Sequence, residues 1–366
     1  MPKPSADVDA DAARRTAKSA GLRYVSDTLP GITRRRRGKG FSYRAPDGTP
    51  IRDRDELARI RSLAIPPAYQ DVWVCRDPRG HLQATGRDAR GRKQYRYHPQ
   101  WATVRGDGKF DRVVAFGEAL PKLRRRLRTD LALKGHPRDK VLAIVVAIMA
   151  ETLVRVGNGD YARSNKSYGL TTLRDRHARF ASGGRVRLAF RGKGGQDHDI
   201  AIDDKRLARL VRGCQQLPGQ TLFQYRDDDG TLQPVDSGMV NDYLRGVMGE
   251  DFTAKDFRTW GGTLHAIRCF GRTPLPDGKP GEEPSARAFA AVENEVVRQV
   301  ASELGNTASV CRKAYIDPVV FEGWRDGSLA RCARDARGQR QWEQAALRFL
   351  KRARRAGSTA RKRARR

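Results

Sequence analysis

The feature that most constrains the fold is the stretch of nine apolar residues from Val141 to Met149. A helix that is apolar on every side has to be buried, because none of its faces can meet water at low cost. The segment from Asp139 to Arg155 is therefore predicted to be the central helix of a large domain, ended by Gly157-Asn158-Gly159. Arg155 would stand at the helix C-terminus, where the helix dipole favours a positive charge.

The net charge of the chain indicates what kind of molecule it binds. The 366 residues include 73 Lys and Arg against 42 Asp and Glu, which gives a formal net charge of +31. Such an excess attracts a polyanion, above all nucleic acid. The basic residues lie along the whole chain, so the folded body is expected to be positive. Hydrophobic residues make up 38% of the chain, enough for a real core.

Cysteine usage and hydropathy argue against several other classes. The five cysteines lie far apart with no CxxC pair, which argues against a zinc site or a disulfide framework and fits a reducing cytosol. The sequence contains no apolar run of 18 residues, which is about the length a membrane-spanning helix requires. The N-terminus lacks the apolar core of a signal peptide. We expect a cytoplasmic, nucleoid-associated protein with no metal, no cofactor and no membrane partner.

The succession of patterns predicts an α+β protein. Turn sequences punctuate a β-rich N-terminal stretch, Gly106-Asp107-Gly108 is a candidate hinge, and helical periodicity dominates afterwards. The last 16 residues hold nine Lys and Arg and no acid. The predicted segments are a disordered N-terminus at 1–18, a β-rich N-terminal domain at 19–108, a linker at 109–115, a mainly α-helical domain with a small β-hairpin sheet at 116–350, and a disordered basic tail at 351–366.

One strand pattern in the N-terminal domain is a candidate for reading DNA. Strand alternation places Arg92, Gln94 and Arg96 on one face and Tyr95 and Tyr97 on the other. Arginine reads guanine edges and glutamine reads adenine edges through paired hydrogen bonds. An ordinary strand whose tyrosines face the core explains the same pattern equally well.

Four separated residues together offer the groups that phosphodiester cleavage requires. The reaction needs a nucleophile, cationic donors for the phosphate oxygens and a proton donor for the leaving oxygen, all held in line. Tyr315 lies on a short helix that Thr307 is predicted to cap and Pro318 to end, and Lys193 stands at the glycine-rich tip of a predicted hairpin. Arg155 and Arg258 supply guanidinium groups, Arg258 on a helix capped by Thr253. In a chain with 73 basic residues, spacing alone does not single them out.

The sequences around these residues resemble the type IB DNA topoisomerases, in their poxvirus-like bacterial branch. The four segments stand in the family's order, over a likeness that covers roughly residues 20 to 350: Leu153–Asn158, Phe190–Gly194, Lys255–Gly261 and Asn306–Tyr315. The resemblance implies that Arg155, Lys193 and Arg258 are catalytic and that Tyr315 is the nucleophile.

The resemblance also implies DNA-contacting residues. Tyr161 matches a DNA-contacting tyrosine, and Arg92, Gln94, Tyr95 and Tyr97 match the family's groove-reading strand. The β-rich domain would then bind DNA, and with the larger catalytic domain it would form a C-shaped clamp around duplex DNA.

The mechanism implied by the resemblance is transient cleavage of one strand. Tyr315 would form a 3′-phosphotyrosyl bond while Lys193 protonates the departing 5′-oxygen. Supercoils would relax by rotation before religation, with neither ATP nor an obligatory metal. The partner would be supercoiled double-stranded DNA, and the enzyme would be a monomer.

The sequence departs from the family at Asn306. Relatives usually have a histidine nine residues before the tyrosine, where this chain has asparagine. An asparagine amide also donates a hydrogen bond but stays neutral. We therefore expect Asn306 to contribute to catalysis without a histidine-linked limb in the pH profile.

Two other functions remain open at this point. A tyrosine recombinase shares the nucleophile and the arginines, but it would normally have a histidine three residues before the second arginine, where Lys255 stands. A non-enzymatic architectural DNA-binding protein explains the net charge equally well.

Overall fold

A computed structural model of the chain describes residues 14–363, except 16, 39, 90, 92, 250–251 and 278–283. The side chains of 102–109, 111, 160–161, 164 and 357–363 also lie outside the description. The chain forms two compact units, residues 1–109 and 110–366. Both contain helices and antiparallel sheets, so the predicted mixed α and β class is confirmed.

The first unit is built on a five-stranded antiparallel sheet in the order β2-β1-β3-β4-β5. The strands are β1 Ile32–Arg37, β2 Gly40–Arg44, β3 Gln70–Val74, β4 Leu82–Arg87 and β5 Lys93–Tyr97. Helix Arg54–Ser62 packs Ile60 against Val72, Val74 and Ala84. Its N-terminus is capped by Asp53, which accepts a hydrogen bond from the Glu56 N–H at 2.8 Å.

The described residues of the N-terminal segment differ from the prediction of disorder at 1–18. Residues 14–15 and 17–19 are helical, and residues 1–13 lie outside the described part of the chain. Ala17 is fully buried with Leu22 and Trp101 in a small apolar cluster. This burial, which composition could not reveal, orders the segment.

The predicted linker at 109–115 is wrong, because these residues lie within the helix Pro99–Asp130. Phe110, Val113 and Phe116 stand at helical spacing and are buried in the core of the second unit. A glycine inside a helix costs only about 1 kcal/mol, so the burial of these side chains outweighs the glycines of the candidate hinge at 106–108.

The second unit surrounds the central helix, Arg138–Thr152, which confirms the prediction from the apolar run. Its residues Val141 to Val146, Ile148 and Met149 are almost completely buried. The other helices of this unit are Gly159–Asn165, Lys205–Gln215, Ser237–Met248, Ala254–Phe270, Ala286–Leu304, Ala308–Ala314, Val319–Arg325, Ser328–Ala333 and Gln339–Arg363.

A three-stranded antiparallel meander adjoins the central helix. Its strands are β6 Ala178–Ala181, β7 Arg185–Arg191 and β8 Asp197–Ile202. Along β7 the side chains of Val186, Leu188 and Phe190 are buried, as the alternation predicts. A second, two-stranded sheet pairs β9 Gln224–Arg226 with β10 Leu232–Pro234.

The basic tail is helical through Arg363 rather than disordered from 351, because the C-terminal helix runs from Gln339 to Arg363. Alanine, arginine and lysine all favour helix. Trp342, Phe349 and Leu350 bury the apolar face of this helix in the core. Among the helices that the structure describes, none is long and apolar enough to cross a membrane.

Candidate active site

Four chain segments of the second unit bring the predicted catalytic side chains to one cavity of about 360 Å³. Tyr315, Arg155, Arg258 and Lys193 all line it. Asn306 lies beside them, because its Oδ1 accepts a hydrogen bond from the Arg155 guanidinium. All five residues proposed from the sequence therefore belong to one site.

Arg155 is held on a backbone segment that leaves the central helix abruptly. The helix ends at Thr152, and Leu153 takes the left-handed conformation with φ of 55°. The N–H groups of Leu170 and Thr171 donate to the carbonyls of Arg155 and Val156 at 3.0 and 2.7 Å. These bonds fix the course of the chain just after the helix. Arg155 therefore comes three residues beyond the last helical residue, rather than at the helix end as predicted.

Arg258 ties two other segments together. It lies on the helix Ala254–Phe270, whose start is fixed by a capping box between Thr253 and Asp256. Only 4% of Arg258 is exposed. Its guanidinium donates to the carbonyl of Leu153 and, at 2.7 Å, to the carbonyl of Leu304. One buried side chain thus connects the backbone next to Arg155 with the backbone next to Asn306.

Two glycines on the same helix let the neighbouring segments approach. A Cβ added at Gly261 would come within 2.5 Å of the Leu153 side chain. One added at Gly262 would come within 2.7 Å of the Tyr315 carbonyl oxygen and 2.9 Å of its Cβ. Real Cβ contacts are not this short, so the segments carrying Arg155 and Tyr315 reach this helix only because both positions lack a side chain.

Tyr315 directly follows the short helix Ala308–Ala314 and is half-buried. Thr307 caps this helix by accepting from the Val310 N–H, as predicted. The Arg258 guanidinium lies over the Tyr315 ring, with its carbon 5.0 Å from the ring centroid. Arg155 lines the same cavity, and Tyr315 acts to raise its pKa. The phenol therefore stands between two guanidinium groups.

Lys193 stands at the tip of the predicted β7–β8 hairpin and is exposed. The tip closes through a hydrogen bond of 2.7 Å from the Gly192 N–H to the Gln196 carbonyl, and Gly194 and Gly195 adopt φ of 79° and 81°. The Tyr168 N–H donates to the Arg191 carbonyl at 2.8 Å. This contact attaches the hairpin to the segment Ser167–Tyr168, which also lines the cavity.

The electrostatics of the site favour an anion. Burial lowers the pKa of Arg155, and the neighbouring Arg258 charge lowers it further, while Tyr315 acts in the opposite direction. Two buried donors, Arg258 Nε and Asn306 Nδ2, have no hydrogen-bond acceptor among the described residues. Buried donors are normally satisfied, and cations held together in a desolvated site gain most from an anionic ligand.

His198 is a site neighbour that the sequence prediction missed. Its ring stacks on Phe190 with centroids 5.0 Å apart. A Cβ at Gly192 or at Gly305 would come within 2.5 or 2.6 Å of this ring. His198 therefore fills the space between the lysine hairpin and the turn before Asn306. Burial and the charges of Arg155 and Arg258 lower its pKa.

Other residues that the sequence analysis did not predict as site residues line the cavity itself. They are Val156, Gly157, Asn158, Ser167, Tyr168, Ala254 and Lys255. Lys255 belongs to the segment Lys255–Gly261 that carries the resemblance, but the sequence analysis gave it no role in the site. Lys255 could have been predicted as a site residue because it lies three residues before Arg258 on a predicted helix, and residues three apart share a helix face.

The candidate DNA-reading strand lies in the first unit as β5. Tyr95 and Tyr97 are 47% and 42% exposed, with nearly parallel rings 6.1 Å apart, so they do not face a core. Gln94 donates from its amide to Asp88 at 2.9 Å. Arg92 lies outside the described residues, and Tyr161 lies in helix Gly159–Asn165 with its side chain outside the description.

Among the described residues, no three His, Cys, Asp or Glu side chains lie together in a group that could hold a metal ion.

Comparison with known proteins gives the family. Residues 99–323 match the family model of the eukaryotic DNA topoisomerase I catalytic core, and residues 40–88 match that of the bacterial DNA topoisomerase IB N-terminal domain. DNA topoisomerase 1B of Acanthamoeba polyphaga mimivirus is 34% identical over 297 residues, 79% of this chain and 85% of that protein. DNA topoisomerase 1B of Vaccinia virus (strain Western Reserve) is 22% identical over 266 residues, 70% of this chain and 76% of that protein. The chain therefore belongs to the type IB DNA topoisomerases, as the resemblance of its motifs implied.

Proposed function

We propose that this topoisomerase relaxes supercoiled DNA by cleaving one strand with Tyr315 and resealing it. The phenolic oxygen attacks a backbone phosphorus and forms a 3′-phosphotyrosyl bond, while the bond from phosphorus to the 5′-oxygen breaks. The phenol proton leaves to solvent, and the freed 5′-oxygen gains a proton. Since the covalent link keeps an ester bond, religation requires neither ATP nor an obligatory metal.

The observation that carries this proposal is the set of groups around the 360 Å³ cavity. A tyrosine, two arginines and a lysine line it, and Arg258 Nε and Asn306 Nδ2 are buried donors without an acceptor among the described residues. A phosphate in the cavity would supply the missing acceptors. Donors aimed at the oxygens of a pentavalent phosphorus stabilise the transition state more than the ground state.

Arg155 and Arg258 stabilise the negative charge that develops on the phenol and on the non-bridging oxygens. Their planar guanidinium groups match phosphate geometry. Asn306 has two tasks in this arrangement. Its carbonyl oxygen orients Arg155, and its amide N–H donates to a non-bridging oxygen.

Lys193 is the general acid for the 5′-oxygen. Its place at an exposed glycine-rich tip lets the ammonium reach the leaving group of a bound DNA. A substrate with sulfur in place of the bridging 5′-oxygen tests this role, because a thiolate leaves without needing a proton. Lys193→Ala should cleave ordinary DNA slowly and the sulfur substrate at close to the wild-type rate. Equal slowing on both substrates would remove Lys193 from this role.

The first unit supplies DNA contacts outside the chemistry. In this proposal Gln94, Tyr95 and Tyr97 read a groove of the DNA together with Arg92, and Tyr161 of the second unit also contacts the DNA. With the second unit this surface completes a C-shaped clamp around the duplex. A monomer is sufficient, since one chain carries every proposed catalytic group. We place the enzyme in the cytoplasm, on the nucleoid.

Plasmid relaxation tests the proposed function. The wild-type protein should relax a supercoiled plasmid without recombination sites, in the absence of ATP and in the presence of EDTA. Tyr315→Phe should bind the plasmid with unchanged affinity and leave it supercoiled. Relaxation by Tyr315→Phe would assign the nucleophile elsewhere, and a strict requirement for ATP or metal would contradict the mechanism.

A further inference from the structure

We propose that Arg354, on the C-terminal helix, is a positioning residue for Tyr315 and acts through the buried carboxylate of Asp317. The inference rests on the proposed role of Tyr315 as nucleophile. It gives the basic C-terminal helix a task in the chemistry, beyond the sequence-independent DNA affinity that its charge implies.

The backbone of Tyr315 is fixed by one hydroxyl group. The fully buried Thr263 donates its hydroxyl proton to the Tyr315 carbonyl at 3.1 Å and accepts the Asp317 N–H at 3.1 Å. A threonine hydroxyl has one proton to donate and lone pairs that accept, so both bonds form together. The tripeptide that begins with Tyr315 is thereby attached at both ends to the helix Ala254–Phe270, which also carries Arg258.

Asp317 is the group that makes this attachment depend on the C-terminal helix. Its side chain has no exposed surface. Its Oδ1 accepts the Val319 N–H at 3.1 Å, and its Oδ2 accepts from the Arg354 guanidinium. A buried carboxylate that loses a charged partner moves toward water or takes up a proton. Either change would shift the backbone two residues from the nucleophile.

The geometry limits how much of that shift Tyr315 could absorb. Gly262 lies against the Tyr315 backbone so closely that an added Cβ would come within 2.7 Å of its carbonyl oxygen, and Ile316 is fully buried. The segment therefore has one well-packed position, and Arg354 belongs to the set of contacts that maintain it. A displacement of about 1 Å at a reacting group is enough to slow catalysis about 100-fold.

The test compares Arg354→Met with Arg348→Met, which removes the same charge from an exposed position on the same helix. Relaxation is followed with enzyme in excess and at saturation, and plasmid affinity is measured separately. We expect Arg354→Met to slow relaxation about 100-fold relative to Arg348→Met, with equal affinity for the plasmid. Equal rates at saturation would show that Arg354 contributes only charge and would overturn the inference.

Two further variants keep the inference falsifiable if Arg354→Met does not fold. Arg354→Lys retains a cation for Asp317, and the double variant Asp317→Asn with Arg354→Met removes the charge and its partner together. Both should recover most of the wild-type rate and the wild-type melting temperature. A double variant that melts normally yet remains slow would overturn the inference. Failure of the wild-type protein to relax DNA would instead contradict the proposed function.

Discussion

The Arg258 guanidinium lies over the Tyr315 ring, 5.0 Å from its centroid, while donating to two backbone carbonyls. These carbonyls belong to Leu153 and Leu304, which stand close to Arg155 and Asn306 in the chain. A single buried cation therefore sets the relative position of three segments. In the proposed mechanism the same cation also stabilises the charge on the phosphate.

Arg258→Lys tests both tasks. A lysine has no planar fork to bond two carbonyls and a phosphate together, so we expect relaxation at saturating enzyme to fall by a factor of about 100 to 1,000. Arg268→Lys is the matched control, because Arg268 lies on the same helix, does not line the 360 Å³ cavity and should keep its rate. Similar rates for the two variants would contradict the role given to Arg258.

Asn306→Ala removes the acceptor of Arg155 and the amide donor at once. We expect the rate to fall about 100-fold, because one donor to the phosphate disappears and the half-buried Arg155 guanidinium loses its partner. DNA affinity should change little. A rate within a few-fold of wild type, measured by single-turnover relaxation, would show that Asn306 does not contribute to catalysis.

Asn306→His should introduce a pH dependence that the wild type lacks. The wild-type rate is expected to show no inflection near the ordinary histidine value of about 6.5, since the amide is neutral and the pKa of nearby His198 is lowered. The variant should show an inflection where its new imidazole titrates. A steep inflection near this value in the wild-type profile would contradict the assignment.

Gly305→Ala should destabilise the second unit by about 2 kcal/mol. Gly305 has φ of 57°, and an added Cβ would come within 2.6 Å of the His198 ring. Gly135→Ala is the control, since Gly135 has φ of 65° with nothing within 4 Å of the new methyl group. Chemical denaturation should show the larger loss of unfolding free energy for Gly305→Ala. Equal losses in the two variants would mean that the His198 ring moves aside with no loss of stability.

The stability of the protein should fall as the pH is lowered through the range where histidine titrates. Burial lowers the pKa of His136, His177, His198 and His265 in the folded state. The unfolded chain then binds more protons below its own histidine pKa of about 6.5, so stability is full above this value and is lost as the pH falls toward the lowered folded values.

The melting temperature at pH values of about 7.5 and 5.5 measures this loss. His198→Gln should show a smaller difference between the two values than the wild type. A wild-type melting temperature that rises on acidification would contradict the prediction.

Local sequence patterns predicted the elements that carry the site, since the apolar run, the Thr253 and Thr307 caps and the glycine-rich hairpin are properties of neighbouring residues. The predictions for segments 109–115 and 351–363 were wrong, because the glycines just before the first and the charges of the second suggested irregular chain. Phe110 and Val113 in the first segment, and Arg354 in the second, have partners distant in sequence.

The contacts around the site were beyond sequence reasoning for the same reason. The His198 ring packs against both Gly192 and Gly305, which lie in different segments. The chain Thr263, Asp317 and Arg354 likewise joins three helical regions through buried contacts. Local spacing in the sequence does not indicate such groups, whereas the proposed catalytic residues could be recognised from the family's motifs.

The most direct test of the central claim is to trap the protein on DNA. Labelled plasmid incubated with the enzyme and denatured abruptly should yield a covalent adduct on a denaturing gel, and peptide mapping should place the DNA on Tyr315, attached through a 3′-phosphate. Tyr315→Phe should give no adduct. An adduct on another residue, a link to a 5′-phosphate, or relaxation with no adduct at all would contradict the account.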